Sequence, residues 1–297
     1  MCKMERGRKN FAAYFLSVLI GLNVLAYLAV YELRGQGLEV IYFDVGQGDG
    51  IFIETPQKHQ ILIDGGPNST ILEKLGKEMP FWDRTIDLII LTHPEKDHMS
   101  GLIEVLKRYK VGNVLWTGIV RDTQEFKEWE KALGKEKTNV KTAKAGQTIL
   151  CSTSDVEHCY FEILYPFENL EGREFENSND TSIVNRLVFG QSSFLFTGDI
   201  SKSVEKEIAA RLNPLSDILK ISHHGSKTST AEEFIRAVLP QVAVVSSGRD
   251  NRYGHPHQEV LETLASYDIK VLRTDELGDI KIISDGKLLR IKNAGAR

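Results

Sequence analysis

The chain has 297 residues, of which 41% are hydrophobic and 26% are charged, and its formal net charge is −4. These values exclude an intrinsically disordered protein, a collagen-like repeat and a small scaffold held together by disulfides. A mean hydropathy of −0.22 excludes a protein with many membrane spans, and the negative charge excludes a global basic field that attracts nucleic acid.

The N-terminal segment predicts a membrane anchor. Residues 1–10 form a basic flank with four basic side chains and one acidic one, and residues 11–33 are apolar apart from Glu32 and a few neutral polar residues. A helix needs about 20 apolar residues to cross roughly 30 Å of hydrocarbon. A cleaved signal peptide and a buried core helix are the alternatives. The basic flank predicts a cytoplasmic N-terminus, and therefore a single-pass, membrane-anchored protein whose domain at 38–297 is extracellular or periplasmic.

Apolar patterns predict the elements of the first half of that domain. Alternating or fully apolar runs predict strands at 38–46, 50–55, 59–66, 85–92 and 113–118. Helical periodicity predicts helices at 69–78, at 100–110 with Ser100 as the N-terminal cap, and at 125–136.

The second half repeats this order of elements. Strands are expected at 142–150, 159–166, 182–190, 192–199, 217–225, 241–248, 269–274 and 279–286, and helices at 201–212, 230–239 and 257–267. Strands that cluster in meanders, with helices inserted after some of them, predict an α/β fold of two stacked mixed sheets with helices on the outer faces.

Two cysteines leave an open question. Cys151 and Cys159 lie on either side of a short polar segment between two apolar runs, a spacing that suits the arms of a hairpin. A disulfide forms there if the domain lies in an oxidising compartment. Two free thiols are the alternative.

The first cluster of residues that can carry chemistry follows the strand at 85–92. His93, Glu95, Asp97 and His98 fall between that strand and the next helix. Imidazole and carboxylate together suit divalent metals such as zinc or manganese. The alternative is a polar turn whose histidines only cap a helix. The occurrence of four potential ligands in one loop favours the metal.

Further polar residues lie in three distant segments, each at the end of an apolar strand. They are NDTS at 179–182, TGD at 197–199 and HHGS at 223–226. One shared edge of the sandwich would bring them together. Asp199 then projects a carboxylate that can bridge two ions.

Seven motifs give the chain a resemblance to a known family. They are FDVGQGDG at 43–50, ILIDGG at 61–66, LTHPEKDHMSGL at 91–102, NDTSIVNRL at 179–187, FLFTGD at 194–199, LKISHHGSKTS at 219–229 and NRYGHPH at 251–257. Over about residues 38–295 the chain resembles the metallo-β-lactamase superfamily and, within it, the extracellular metallo-β-lactamase-like domain of the ComEC family of competence proteins. The resemblance implies an αββα sandwich, here preceded by one transmembrane helix.

The resemblance also implies one or two divalent metal ions, Mn²⁺ or Zn²⁺. The implied ligands are His93, Glu95 and Asn179 for one ion, and Asp97, His98 and His224 for the other, with Asp199 bridging them. His224 is favoured over His223 because the ligand in related proteins commonly precedes a glycine. Glu95 and Asn179 stand where many superfamily members have histidine. With a carboxylate and an amide in place of two imidazoles, the first metal position has harder ligands. This favours manganese over zinc or leaves the position weakly occupied.

Other residues of the motifs are implied to act around the metal. Asp64 matches an acid that holds the ligand loop. Residues implied to line the cleft or to contact substrate are Asp44, Gln47, Asp49, Ser226, Thr228 and His255. A purely structural role in a turn or loop is the alternative for Asp64, Asp44, Gln47, Asp49 and His255. The implied catalytic residues are Asp97, which orients the attacking water, and His223 or His257, which protonates the leaving alkoxide.

The implied function is that of a phosphodiesterase or nuclease acting on DNA, most simply on one strand, outside the cytoplasmic membrane during competence and DNA uptake. The acidic domain lacks the basic surface that such binding normally needs, so metal ions and a local patch of Lys220, Lys227, Arg249 and Arg252 have to supply positive charge. The alternatives are hydrolysis of a phosphocholine ester, lactone or small nucleotide, and a non-catalytic metal-binding domain anchored at the membrane. The sequence does not identify a protein partner.

Overall fold

The computed structural model describes residues 14–28, 37–135, 138–151 and 158–293. The chain divides into two compact units, residues 1–36 and residues 37–297. The described part of the first unit is a helix, α1, over residues 14–28.

Helix α1 corrects the expectation of a membrane anchor. Within the described ranges no helix is both long and apolar enough to cross a membrane. The predicted single-pass, membrane-anchored localisation is therefore wrong, and the predicted transmembrane helix over 11–33, with its membrane contact, has no counterpart among the described residues. Residues 11–13 and 29–33, together with the basic flank 1–10, lie outside the described residues.

The second unit contains the strands and the remaining helices. The described strands are β1 Leu38–Tyr42, β2 Ile51–Glu54, β3 Gln60–Ile63, β4 Thr85–Ile90, β5 Lys110–Trp116, β6 Asn139–Thr142, β7 Thr148–Leu150, β8 Cys159–Tyr165, β9 Val184–Phe189, β10 Ser192–Phe196, β11 Ile218–Lys220, β12 Val242–Val245, β13 Lys270–Arg273, β14 Ile280–Ser284 and β15 Leu289–Asn293. The helices are α2 Thr70–Glu78, α3 Lys96–Leu106, α4 Gln124–Lys135, α5 Lys202–Arg211, α6 Glu232–Val238, α7 Gln258–Ser266 and the short α8 Thr274–Leu277.

The described strands form two mixed sheets. The first has the order β15-β14-β1-β2-β3-β4-β5-β6 and the second the order β13-β12-β11-β10-β9-β8-β7. In the first sheet, β3 to β6 run parallel and the other neighbours pair antiparallel. In the second, β10 to β13 run parallel and β7 to β10 pair antiparallel.

Three apolar clusters arrange these elements in four layers. Side chains from both sheets, such as Tyr42 and Phe161, form one cluster between them. The cluster with Leu102 packs helices on the outer face of the first sheet, and the cluster with Phe234 does so on the second. The predicted αββα sandwich of two mixed sheets is confirmed.

One predicted helix starts earlier than the sequence indicates. Helix α3 begins at Lys96 with Glu95 as its N-terminal cap, and Met99 N donates to Glu95 O at 2.9 Å. Ser100, the expected cap, therefore lies inside the helix. Apolar periodicity misses the first turn because Lys96, Asp97 and His98 are polar, although Met99 packs in the apolar cluster of the first sheet. Asp97 and His98 consequently project from a rigid helix.

The question left open by the two cysteines is resolved. Cys151, next to β7, and Cys159, at the start of β8, form a disulfide with a Cα–Cα distance of 5.2 Å. Cys151 N also donates to Cys159 O at 3.0 Å. The bond closes the hairpin that the spacing predicts.

Candidate metal centre

Four side chains from both sheets converge at the carboxyl ends of the parallel strands. Asp97 and His98 lie in the first turn of α3, Asp199 follows β10, and His224 lies in a 3-10 turn after β11. Their ligand atoms all lie within 4.8 Å of one another. Asp199 Oδ2 is 3.3 Å from His98 Nε2 and 3.4 Å from His224 Nε2. Asp97 Oδ2 is 3.4 Å from His224 Nε2.

These four donors fit a divalent metal ion. Among the described residues, His98 Nε2, His224 Nε2 and Asp199 Oδ1 are buried atoms without a hydrogen-bond partner. Leaving a buried polar atom unpaired costs about 1–3 kcal/mol. A cation held by two imidazoles and two carboxylates would satisfy all three atoms, and this donor set suits manganese or zinc.

The electrostatics of the cluster also favour a cation. Burial alone would lower the pKa of His98 and His224, but the Asp199 carboxylate raises the pKa of both well above the ordinary value. Burial would raise the pKa of Asp199, yet the two imidazoles hold that pKa well below the ordinary value. Without a metal, protons supply the positive charge that the carboxylates require, and a bound metal would displace them.

A second set of contacts orients the imidazoles. His98 Nδ1 lies 2.8 Å from Asp64 Oδ2, and His224 Nδ1 lies 2.9 Å from Ser246 O. With Nδ1 engaged in this way, Nε2 of each ring faces the cluster. Asp64 also accepts hydrogen bonds from Thr92 N at 2.8 Å and Thr92 Oγ1 at 2.7 Å. It therefore joins the end of β3 to the loop that carries the ligands.

Close backbone contacts fix the position of α3. A Cβ on Gly101 would lie 1.8 Å from Gly65 O, and Gly65 N donates to His98 O at 2.8 Å. On the other side of the helix start, a Cβ on Gly48 would lie 2.2 Å from Asp97 O. Only glycine allows these approaches. Two glycine-rich turns thus hold Asp97 and His98 in place.

The residues implied for the other metal position do not form such a cluster. Glu95 Oε1 pairs with Arg121 Nη2 at 2.9 Å and accepts a hydrogen bond from Ser178 Oγ. Asn179 Nδ2 lies 3.3 Å from His223 Nε2. Glu95 is therefore engaged by Arg121 and Ser178, whereas Asn179 makes its contact through the amide nitrogen and not through the oxygen that would bind a metal. Both residues line the same cleft as Asp97, Asp199 and His224.

His93, the third residue of that set, is placed differently. Its ring lies 4.2 Å from the His98 ring, and its Nε2 is 3.9 Å from Asp199 Oδ2. Burial lowers the pKa of His93 to about 3, so the imidazole is neutral. Within the described residues its Nε2 is buried without a partner. It stands beside the four donors as a fifth candidate ligand and the third imidazole of the group.

His223 and His224 point to different places because both adopt a left-handed backbone, with φ of 51° and 56°. His224 is buried and is one of the four donors, whereas His223 is partly exposed at the mouth of the cleft that leads to them. His223 Nδ1 lies 3.2 Å from Thr228 Oγ1, which itself lies 3.0 Å from Ser226 Oγ. Ser226 and Thr228 therefore position His223.

The three polar side chains of the glycine-rich turn at 43–50 make contacts in three different places. Gln47 Oε1 accepts from Gly248 N at 3.2 Å, and its Nε2 lies 3.3 Å from His255 Nδ1 at the metal cleft. Asp44 Oδ1 accepts from Gly46 N at 3.2 Å and stabilises the turn itself. Asp49 points inward to Lys220, 2.7 Å away.

The two histidines of the segment NRYGHPH are separated. His255 lines the metal cleft, and burial with the charges of His224 and His223 lowers its pKa to about 4. His257 is not among the described residues that line this cleft; its Nδ1 accepts from Lys227 N at 3.3 Å. The structure brings His255, and not His257, to the metal donors.

Three further residues of the site were not expected from the sequence. Arg121 and Ser178 engage Glu95, and nothing in a single sequence links them to it. Lys220 was expected in an exposed basic patch, but its side chain is fully buried. A lysine in the otherwise apolar run before HHGS is the signal that could have revealed this, because a buried lysine requires a partner.

The chain is similar in sequence to two known bacterial proteins. No protein-family model matches the chain. The chain is 34% identical over 278 residues to ComE operon protein 3 of Bacillus subtilis, covering 87% of the chain and 34% of that protein. It is 29% identical over 248 residues to competence protein ComA of Neisseria gonorrhoeae, covering 82% and 32%. The chain spans about a third of the length of both relatives.

A solved structure shares the fold. The metallo-β-lactamase fold protein YhfI of Bacillus subtilis superimposes with a TM-score of 0.53 at 12% identity, covering 86% of the chain and 100% of YhfI. At this identity the similarity concerns the fold alone.

Proposed function

Since this chain is a metallo-β-lactamase-like domain of the ComEC type, we propose that it is a metal-dependent phosphodiesterase that hydrolyses single-stranded DNA in competence. The observation that carries the proposal is the convergence of Asp97, His98, Asp199 and His224, whose ligand atoms lie within 4.8 Å of one another. Unpaired donor atoms at that point support a metal site rather than a structural ion-pair network.

The chemistry that a bound divalent ion supplies is Lewis-acid activation of a diester and of the water that attacks it. Asp97 lines the cleft and is the most exposed of the four donors, with a third of its side chain exposed. In the proposed reaction its carboxylate accepts a hydrogen bond from the attacking water and orients it. Mn²⁺ and Zn²⁺ both suit the donor set.

His223 is the proposed proton donor to the leaving alkoxide. It lines the cleft, lies 4.0 Å from Asp199 Oδ2 through Nε2, and is positioned by Thr228 and Asn179. In this role His223 acts as the imidazolium, which gives one N–H proton to the alkoxide and becomes the neutral ring; burial lowers the pKa of His223, and the Asp199 carboxylate opposes that shift. His257 is less suited because its Nδ1 is engaged by Lys227 N.

The test uses the full chain loaded with Mn²⁺ or Zn²⁺ and a panel of substrates. We expect cleavage of single-stranded DNA, slower cleavage of double-stranded DNA, and little hydrolysis of a phosphocholine ester or a lactone. Asp97→Ala should lower the rate by more than about a hundredfold, because it removes a metal donor. Equal, slow cleavage by wild type and variant would overturn the proposal, and hydrolysis of small esters without DNA cleavage would favour a different substrate class.

A further inference from the structure

A second cavity opens beside the metal cleft. It has a volume of about 470 Å³ and is lined by Gln47, Pro67, Lys96, Asp97, Arg252 and Tyr253, among others. The metal cleft, about 180 Å³, shares Gln47, Asp97 and Tyr253 with it. The two cavities are therefore adjoining parts of one surface, and a ligand that fills the metal cleft can extend into the larger cavity.

Tyr253 presents an exposed aromatic ring where the two cavities meet. Its side chain is 51% exposed, although large hydrophobic residues are mostly buried in this fold. The ring stacks on His255 with a centroid distance of 5.6 Å and an interplanar angle of 20°. An exposed ring at a cleft, stacked on a residue of the site, is a binding surface for a flat group.

The backbone around Tyr253 is held in place by one side chain. Asn251 Oδ1 accepts hydrogen bonds from Tyr253 N at 3.2 Å and His255 N at 2.9 Å, and Asn251 Nδ2 donates to His255 O at 2.6 Å and Gly248 O at 2.9 Å. The ring is thus positioned before a ligand arrives. A positioned ring lowers the entropy cost of binding.

Two cations stand at the rim of the larger cavity. The Arg252 guanidinium lies 5.0 Å from the centre of the Tyr253 ring, and its Nη2 donates to Tyr253 Oη at 2.9 Å. The Lys96 ammonium is 3.6 Å from Glu125, a solvent-exposed pair of the kind that contributes little. Both cations can exchange these contacts for a phosphate. The cavity therefore combines an aromatic ring with positive charge on an otherwise acidic protein.

We infer that this cavity is a nucleoside subsite. When a phosphodiester occupies the metal cleft, the neighbouring base stacks on Tyr253, and Lys96 and Arg252 bind the next phosphate. This inference rests on the proposed phosphodiesterase function and specifies its substrate. Stacking on an aromatic ring accepts any base, but a base inside a duplex already has both faces covered. Tyr253 therefore selects an unpaired strand.

The test measures the affinity of the Mn²⁺-loaded full chain for two fluorescent single strands of equal length, an oligothymidylate and an abasic oligomer, both with phosphorothioate linkages that resist cleavage. Wild type should bind the thymidylate more tightly. Base–aromatic stacking predicts that Tyr253→Ala weakens thymidylate binding by about 5- to 150-fold and leaves abasic binding nearly unchanged. Tyr253→Phe should bind as wild type does.

The matched control is Trp82→Ala, which removes another exposed aromatic ring at the opposite end of β4 from the metal cleft; its binding should not change. The inference is overturned if wild type binds neither oligomer, or if Tyr253→Ala loses affinity equally for both. Binding that depends on Tyr253 without DNA cleavage would leave the subsite standing and refute the phosphodiesterase. Cleavage with no dependence on Tyr253 would refute the subsite alone.

Discussion

Lys220 and Asp49 form a buried ion pair behind the metal centre, with Nζ 2.7 Å from Oδ2 and side chains 0% and 2% exposed. Lys220 Nζ also donates to Ile221 O at 2.9 Å. Burial alone would raise the pKa of Asp49, but Lys220 and His224 hold that pKa well below the ordinary value. Asp49 Oδ1 lies 3.5 Å from His224 Nδ1. The pair thus links the glycine-rich turn to the strand that carries a metal donor.

Lys220→Met should be strongly destabilising. It leaves the Asp49 carboxylate buried without its partner, and breaking a buried pair in this way costs about 3–5 kcal/mol. Urea unfolding monitored by circular dichroism gives the free energy of unfolding. Lys227→Met, at an exposed lysine of the same segment, should change it by less than about 0.5 kcal/mol. Similar values for the two variants would refute a structural role for the pair.

Metal binding should have a stoichiometry of one ion per chain. The four donors converge, whereas Glu95 is engaged by Arg121. Isothermal titration with Mn²⁺ should therefore give one tight site in wild type and in Glu95→Gln, and at least about a hundredfold weaker binding in Asp199→Asn. A second tight site that Glu95→Gln abolishes would show that Glu95 leaves Arg121 to bind metal.

Gly101→Ala should destabilise the protein although alanine favours helices. The new Cβ would meet Gly65 O at 1.8 Å, so α3 has to shift, at a cost of about 1–3 kcal/mol. Metal affinity should fall too, because the shift moves Asp97 and His98. In contrast, within the described part of the chain a Cβ at Gly76 of α2 meets nothing within 4 Å. Gly76→Ala should stabilise by about 0.5–1 kcal/mol. Thermal melting of both variants checks the opposite signs.

Glu205 should make stability depend on pH. Its buried carboxylate accepts from Ala231 N at 2.7 Å and Thr230 N at 3.0 Å, but burial outweighs these bonds and raises its pKa above 4.5. The folded state therefore binds a proton more tightly than the unfolded state does, and this contribution to stability is lost as pH rises through the folded pKa. As the pH rises above 4.5 through the folded pKa of Glu205, the free energy of unfolding of wild type should fall relative to that of Glu205→Gln, which has no proton to lose. A difference that does not vary with pH would refute this.

The layers of the fold follow from the sequence because alternating and fully apolar runs determine which faces are buried. The expected membrane-anchored localisation does not follow, since within the described residues no helix is both long and apolar enough to cross a membrane. The predicted start of α3 is too late because the first three residues of the helix are polar, and two of them, Asp97 and His98, belong to the site.

The candidate site was predictable in part. Residues that are close in sequence to a strand end, such as Asp97, His98 and Asp199, come together because the carboxyl ends of parallel strands meet at one edge. Glu95 belongs to the same loop, yet its contacts depend on Arg121, which a pattern in one sequence does not connect to it. Likewise, the direction of Lys220 depends on Asp49 in the other sheet.

The most direct measurement of the central claim is the rate of cleavage of a single-stranded oligonucleotide by the full chain as a function of Mn²⁺ ions bound per chain. The account predicts that the rate rises in proportion to occupancy and reaches its maximum at one ion, and that Asp199→Asn shows no such rise at the same total Mn²⁺. Cleavage that is independent of bound Mn²⁺, or equal in wild type and Asp199→Asn, would contradict it.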